Sequence, residues 1–282
     1  GLLMHSTIDY TCSSTQISGM SKNAFESYLF KDGKPMALTS LNKSDEAPFQ
    51  YGHLSLKDIL AVRDKRLAQT IDTVLLYNGR GFTRFNTGME STSSTGYGVA
   101  KYDNEAIPEG FRSQSGKNYT HAPLFWLSVI YLNYAEACAE LGNITQDDLD
   151  KSINLLKDRA GLPHLSPIVG FSDPANNHGV SDLIWEIRRE RRCELMFDND
   201  NRYWDLIRWH QLDKLDTTKY PDIILGANVA NDMDGCEANK VGKYIDGSKD
   251  GSRIYDKKHY LYPIPTGQIA LNPQLAPNNP GW

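Results

Sequence analysis

A chain of 282 residues, 40% hydrophobic and 10% aromatic, can bury a substantial core as one large domain or two small ones, which excludes a disordered chain. With 30 basic against 35 acidic residues and a net charge of −5, it offers no positive field for a polyanion, so no nucleic-acid partner is expected. No run reaches the roughly 18 uninterrupted apolar residues of a membrane-spanning helix; the nearest, 124–139, is broken by Ser128, Asn133 and Glu136.

Residues 1–120 read as an irregular lobe in which Ser, Thr, Gly and Asn recur. Within it, Ser55-Leu56-Lys57-Asp58 forms a capping box leading into Ile59-Leu60. Residues 79–116 carry seven glycines between Phe82, Phe85, Tyr97, Tyr102 and Phe111, the pattern of a long excursion. Helical periodicity then runs from Pro123, placed as a first-turn proline, to Leu141, with Gly142 closing it. Thr145-Gln146-Asp147-Asp148 caps a second helix through Leu155, Leu156 and Ala160, stopped by Gly161 and Pro163. Together they predict an antiparallel hairpin whose Ala135, Ala139 and Ala160 allow close approach, as in a tetratricopeptide unit of about 34 residues. After a linker with Pro167, Gly170, Pro174 and Gly179, Ser181 caps a third helix. Beyond the core at 121–212, residues 213–282 are expected as a loop-rich wrap and tail, anchored by burial of Trp282.

Between Ile184 and His210, charge and aromatic character alternate densely. Glu186, Arg188, Arg189, Glu190, Arg191, Arg192 and Glu194 fall within little more than two turns, ahead of Arg202, Tyr203, Trp204, Asp205, Arg208 and Trp209. Glu186/Arg189 and Arg191/Glu194 stand three apart and can meet on one face. Glu186/Glu190, Glu190/Glu194 and Arg188/Arg192 place like charges four apart, which disfavours the helix unless other elements supply partners. Tertiary ion pairing is therefore expected. The residues admit two readings, a structural Arg–Glu–Trp scaffold and a catalytic pair among Glu190, Glu194 and Asp205. Catalysis needs a cleft and split pKa values, whereas nearby arginines hold both acids ionised, so the scaffold is expected. Tyr203, Trp204 and Trp209 are assigned to core packing, with Trp204→Ala costing about 3–5 kcal/mol as a buried aromatic.

Glu190-Arg191-Arg192, Glu194-Leu195, Phe197-Asp198 and Arg202-Tyr203-Trp204-Asp205-Leu206-Ile207-Arg208-Trp209 closely resemble the ERRvELafEgHRyfDLrRW signature of the SusD/RagB family. Further blocks agree in the family's order: Tyr28-Leu29-Phe30-Lys31-Asp32-Gly33-Lys34-Pro35 with Asp64-Lys65-Arg66-Leu67, then Tyr131-Leu132-Asn133-Tyr134-Ala135-Glu136-Ala137 with Leu141-Gly142. The tail adds Tyr260-Leu261-Tyr262-Pro263-Ile264-Pro265 and Asn279-Pro280-Gly281-Trp282. Asp198-Asn199-Asp200-Asn201 departs from the family's Glu-Gly-His, which puts only the turn between the helices in doubt. The resemblance implies a mainly α, SusD-like helical fold with tetratricopeptide-like helix pairs, a large irregular ligand-facing lobe and little strand, as a single domain over 1–282. It also implies that the family's N-terminal helical half, lipoprotein signal and lipid anchor lie outside this chain. Glu136, Glu190, Arg191, Arg192, Glu194, Arg202, Trp204, Asp205, Arg208, Trp209 and Trp282 form its structural signature.

Metal and nucleophile chemistry find no pattern. Asp246-Gly247-Ser248-Lys249-Asp250-Gly251 imitates the start of a calcium loop but has Lys257 where the bidentate Glu belongs, and Asp232-Met233-Asp234-Gly235-Cys236-Glu237 lacks the first acid. The seven histidines show no zinc spacing, no Gly-x-Ser-x-Gly elbow or phosphate loop occurs, and no cofactor is expected. Cys138 and Cys193 are read as small apolar residues, and a Cys12–Cys236 bridge is left open. Recognition of a sugar would use rings against the pyranose face with polar neighbours for the hydroxyls. The candidates are Tyr10, Phe49, Tyr51, Phe85, Tyr97 and Tyr102, with Gln50, Arg84 and Asn86. No binding position carries over from the family, whose ligand residues vary with the glycan.

The resemblance thus implies a non-enzymatic, outer-membrane surface lipoprotein that captures glycan and delivers it to a SusC-like TonB-dependent transporter. Two other readings stand beside it. A helical glycoside hydrolase would show two carboxylates about 5–9.5 Å apart in an open cleft; a peptide-binding member or tetratricopeptide-type scaffold would show stacked helix pairs lining a groove.

Overall fold

The computed structural model describes residues 19–41, 56–71, 91–99, 123–198, 201–230, 239–248 and 251–282, with strand segments 49–50, 53–54, 76–77 and 82–84 and isolated positions between 101 and 121. In chain order these form α1 (Lys22–Glu26), β1 (Phe49–Gln50), β2 (His53–Leu54), α2 (Leu56–Ala61), α3 (Lys65–Thr70), β3 (Leu76–Tyr77), β4 (Phe82–Arg84) and β5 (Ser91–Ser93). The helical body follows as α4 (Leu127–Glu140), α5 (Gln146–Asp150), α6 (Ile153–Ala160), α7 (Asp182–Glu194) and α8 (Asn201–Arg208). After it come β6 (Leu225–Asn228), β7 (Lys240–Val241), β8 (Tyr244–Asp246) and α9 (Thr266–Leu271). The fold is mainly helical. Its strands are short antiparallel pieces, ordered β1-β2, β3-β4-β5 and β6-β8-β7.

Local chemistry accounts for several of the described helix ends. Ser181 accepts from the Ile184 amide at 3.3 Å to start α7, and Thr145 with Asp148 forms a reciprocal capping box on α5. Gly142 and Gly161 follow α4 and α6 with φ of 71° and 70°, where a side chain would be strained. The first long helix starts later than the proline suggests: Trp126 is extended and offers no side-chain cap, so α4 begins at Leu127. The expected second helix is also interrupted. Ser152 donates its hydroxyl to the Asp148 carbonyl at 2.6 Å, leaving the helical region and dividing the segment into α5 and α6.

Two apolar clusters hold these elements. One gathers Met20, Phe25, Tyr28, Leu67, Ile71, Tyr97, Cys193, Val229 and Ile245; the other gathers Leu132, Ala135, Leu149, Ile153, Leu156, Leu165, Ile187 and Leu195. Because α7 contributes Cys193 to the first and Ile187 to the second, it lies between them, and its charged positions must find partners on surrounding elements. The turn out of α7 is tight. Phe197 sits at φ 63°, an uncommon conformation for a bulky residue, while Lys101 donates to the Met196 carbonyl at 2.8 Å and to Asp198 at 2.9 Å.

Candidate functional site

The charges on α7 are engaged by residues far away in the chain. Arg66 from α3 donates to Glu190 at 2.5 Å and to Glu194 at 2.9 Å, Lys157 from α6 lies 3.3 Å from Glu190, and Arg159 reaches Glu194. Arg191 turns away from Glu194 and donates to Asp205 at 2.7 Å and to Asn133 at 2.9 Å. The three-apart pairing expected for Arg191/Glu194 is therefore replaced, because each has a partner supplied by another helix. Glu186/Arg189 does pair, at 3.0 Å, and Arg189 also holds Asp173. Arg208 completes the network, donating to Asp205 at 2.9 Å and to both Glu136 oxygens at 2.9 and 2.6 Å, while the Trp209 indole donates to Glu136 at 2.6 Å.

These bonds decide the protonation of the acids. Burial alone would raise the Glu190 carboxyl, but Arg66 and Lys157 outweigh it and hold the group down at about 2. Burial, opposed by Lys157 and reinforced by Glu190, pushes Glu186 up to about 8, against the donation from Arg189 to both its oxygens, which favours the ionised form. The two values are split as in an acid–base pair, yet both side chains are buried, and Arg189 donates to both Glu186 oxygens. A substrate would have to displace these bonds to reach either group.

Arg192 and Arg202 stand outside the knot, contrary to their expected role as ion-paired scaffold. Among the described residues Arg192 donates to Asn23 at 2.7 Å, and the Arg202 guanidinium lies 5.8 Å from the Trp209 ring centre. Both face a cavity of about 640 Å³ that also takes in Trp185, Lys214 and Tyr220. Burial lowers Arg202 to about 9, with Arg192 adding to the fall. The dense sequence signal concealed this opening, since periodicity shows which residues share a helix but not where packing leaves a gap.

The SusD family model matches residues 9–282. The chain belongs to the SusD family. A SusD-like carbohydrate-binding protein from Bacteroides fragilis NCTC 9343 is similar in structure, with a TM-score of 0.63 and 25% identity over 90% of this chain and 47% of that one. A second SusD-like protein from the same organism gives 0.61 and 23% over 94% and 47%. The chain spans about half the length of the solved structures it matches. No curated protein matches it.

On this SusD-family fold, Tyr97 is only 4% exposed and stacks on Phe25 with ring centres 4.3 Å apart. It is a core residue and presents no face to a ligand, because the loop carrying it folds back against α1. Phe49 and Gln50 lie on β1, paired with Leu54 and His53, and Arg84 ends β4 opposite Ser91. Tyr10, Tyr51, Phe85, Asn86 and Tyr102 lie outside the described residues, as do Cys12, Cys236, Ser55 and the 232–237 loop. Cys193 is buried and Cys138 partly buried, both as free thiols. Asp246 accepts from the Ser248 amide and hydroxyl at 2.9 and 2.6 Å. Among the described residues no cluster of three or more His, Cys, Asp or Glu could hold a metal ion, and no helix is long and apolar enough to cross a membrane.

Trp204 also departs from expectation. It is 57% exposed and meets Tyr203 edge-on at 5.5 Å, because α8 presents Asp205 and Leu206 inward and turns Trp204 out. Its replacement by alanine is accordingly expected to cost no more than about 1 kcal/mol, the scale of an exposed aromatic pair; a urea midpoint shifted by the 3–5 kcal/mol of a buried ring would refute this. Trp282 is anchored but half open, at 46% exposure. Its indole donates to the carbonyls of Leu261 and Lys258 at 2.9 and 3.2 Å, and it borders a groove of about 260 Å³ with Tyr203, Tyr255, His259 and Tyr262.

Proposed function

We propose that this SusD-family chain captures oligosaccharide without cleaving it, at the outer-membrane surface, where a lipid anchor holds it, and delivers the sugar to a SusC-like TonB-dependent transporter. The observation that carries the reading is family membership together with likeness to a 25% identical structure described as carbohydrate-binding. The engagement of Glu136, Glu190, Glu194 and Asp205 by fixed donors supports binding without hydrolysis. Phe49, Tyr51, Phe85, Tyr10 and Tyr102, with Gln50, Arg84 and Asn86, remain the proposed contacts. Tyr97 is excluded by its burial.

Calorimetric titration with a panel of neutral oligosaccharides is expected to give dissociation constants in the micromolar to millimolar range, about −8 to −4 kcal/mol. Joint replacement of Phe49 and Phe85 by alanine should weaken the best ligand about tenfold or more, with unchanged melting temperature. Absence of binding across the panel, or release of reducing ends from any member, contradicts the proposal.

A further inference from the structure

We propose that the cavity between α7 and α8 is a site for an oxyanion, the carboxylate or sulfate of an acidic saccharide, held by Arg192, Arg202 and Lys214. These three cations line one cavity of about 640 Å³, a size typical of small-molecule sites. Among the described residues none of them forms an ion pair with a carboxylate. Arg192 is bonded to the Asn23 amide oxygen, Arg202 faces the Trp209 ring, and the Lys214 ammonium lies 4.6 Å from the centre of the Trp185 ring. The cavity's acids are already committed. Glu26 accepts from Lys22 at 2.7 Å, Asp173 is held by Arg189 and by the Trp185 indole, and Asp222 accepts from Asn23 at 2.6 Å.

Half-buried like charges that no carboxylate pairs directly repel one another more strongly than they would in water, even with the Asp222 carboxylate on the same cavity wall acting on Arg192. Burial first, and then the charges of Arg202 and Arg192 against the opposing charge of Asp213, lowers Lys214 to about 7. An entering oxyanion would relieve the repulsion, and guanidinium groups match carboxylate and sulfate oxygens in a planar, two-pronged way. The saccharide part of this inference rests on the glycan-binding reading; the oxyanion part does not.

Titration of the 282-residue chain with sodium sulfate, against sodium chloride at matched ionic strength, tests the cavity directly. Saturable sulfate binding is expected, weakened at least tenfold in Lys214→Met and in Arg202→Met, with circular dichroism confirming that each variant folds. A uronate-containing oligosaccharide should compete with sulfate, whereas a neutral one of equal length should not and should bind Lys214→Met as it binds the wild type. No saturable binding above chloride, or wild-type affinity for sulfate in both variants, overturns the site. Sulfate binding without competition by the acidic oligosaccharide overturns the saccharide assignment. Neutral-glycan binding without sulfate binding removes this inference alone and leaves the proposed function standing.

Discussion

Glu190→Ala is expected to destabilise the protein by about 3–5 kcal/mol, the cost of removing one partner from a buried ion pair. The side chain is 2% exposed and joins α7 to α3 through Arg66 and to α6 through Lys157. After truncation Arg66 keeps Asp64 at 2.7 Å and Glu194 at 2.9 Å, but Lys157 is left buried without its carboxylate. Acid should reveal the same interaction. The folded carboxyl titrates at about 2 and an unfolded one near 4.3. The unfolded chain therefore binds the proton more readily, and the contribution is fully present above about pH 4.3 and lost as pH falls toward 2. It amounts to about 3 kcal/mol. Urea midpoints across this range should decline in the wild type, with a visibly shallower slope in Glu190→Gln. Equal slopes, or a loss below about 1 kcal/mol in Glu190→Ala, would show that the contact contributes little.

Tyr97→Ala is the second large effect, also about 3–5 kcal/mol, because it removes a buried ring from the cluster around Phe25 and leaves a cavity in a close-packed region. Had Tyr97 been an open platform for sugar, the same change would spare stability and weaken binding. The comparison with Trp204→Ala makes the test sharp, since that residue was expected to be buried and stands exposed. Thermal or urea denaturation of the two variants should therefore show a large loss at Tyr97 and a small one at Trp204. The opposite order would contradict the packing described.

The contrast between these two aromatics shows what was readable in advance. Both occur in segments where a ring is equally plausible inside or outside: Tyr97 in a Gly-rich stretch, Trp204 beside charges in an amphipathic helix. A loop residue has no periodicity to betray which way it points. On α8 the spacing around Trp204 is compatible with an inward stripe through Tyr203 and Leu206, but the rotation that buries Asp205 and Leu206 is set by the bonds from Arg191 of α7 to Asp205 and from Arg208 to Glu136 of α4. In the first lobe only residue type marks a ring as a candidate contact, and type does not separate a surface ring from a core one such as Tyr97.

By itself the sequence determined the mainly helical class, the caps at Thr145 and Ser181, the left-handed stops at Gly142 and Gly161, the signature that places the chain in its family, and the need for outside partners along α7. Those follow from interactions within a few residues or from motif order, which a linear pattern records. Only the tertiary structure decided that Arg66, more than 120 positions earlier, supplies a partner to Glu190 and Glu194. It likewise decided that Arg191 serves Asp205, and that Arg192, Arg202 and Lys214 face an open cavity. The physical reason is that charge is satisfied by distance in space. Which partner comes within 3 Å depends on how α3, α4, α6 and α8 pack around α7, and no local spacing carries that information.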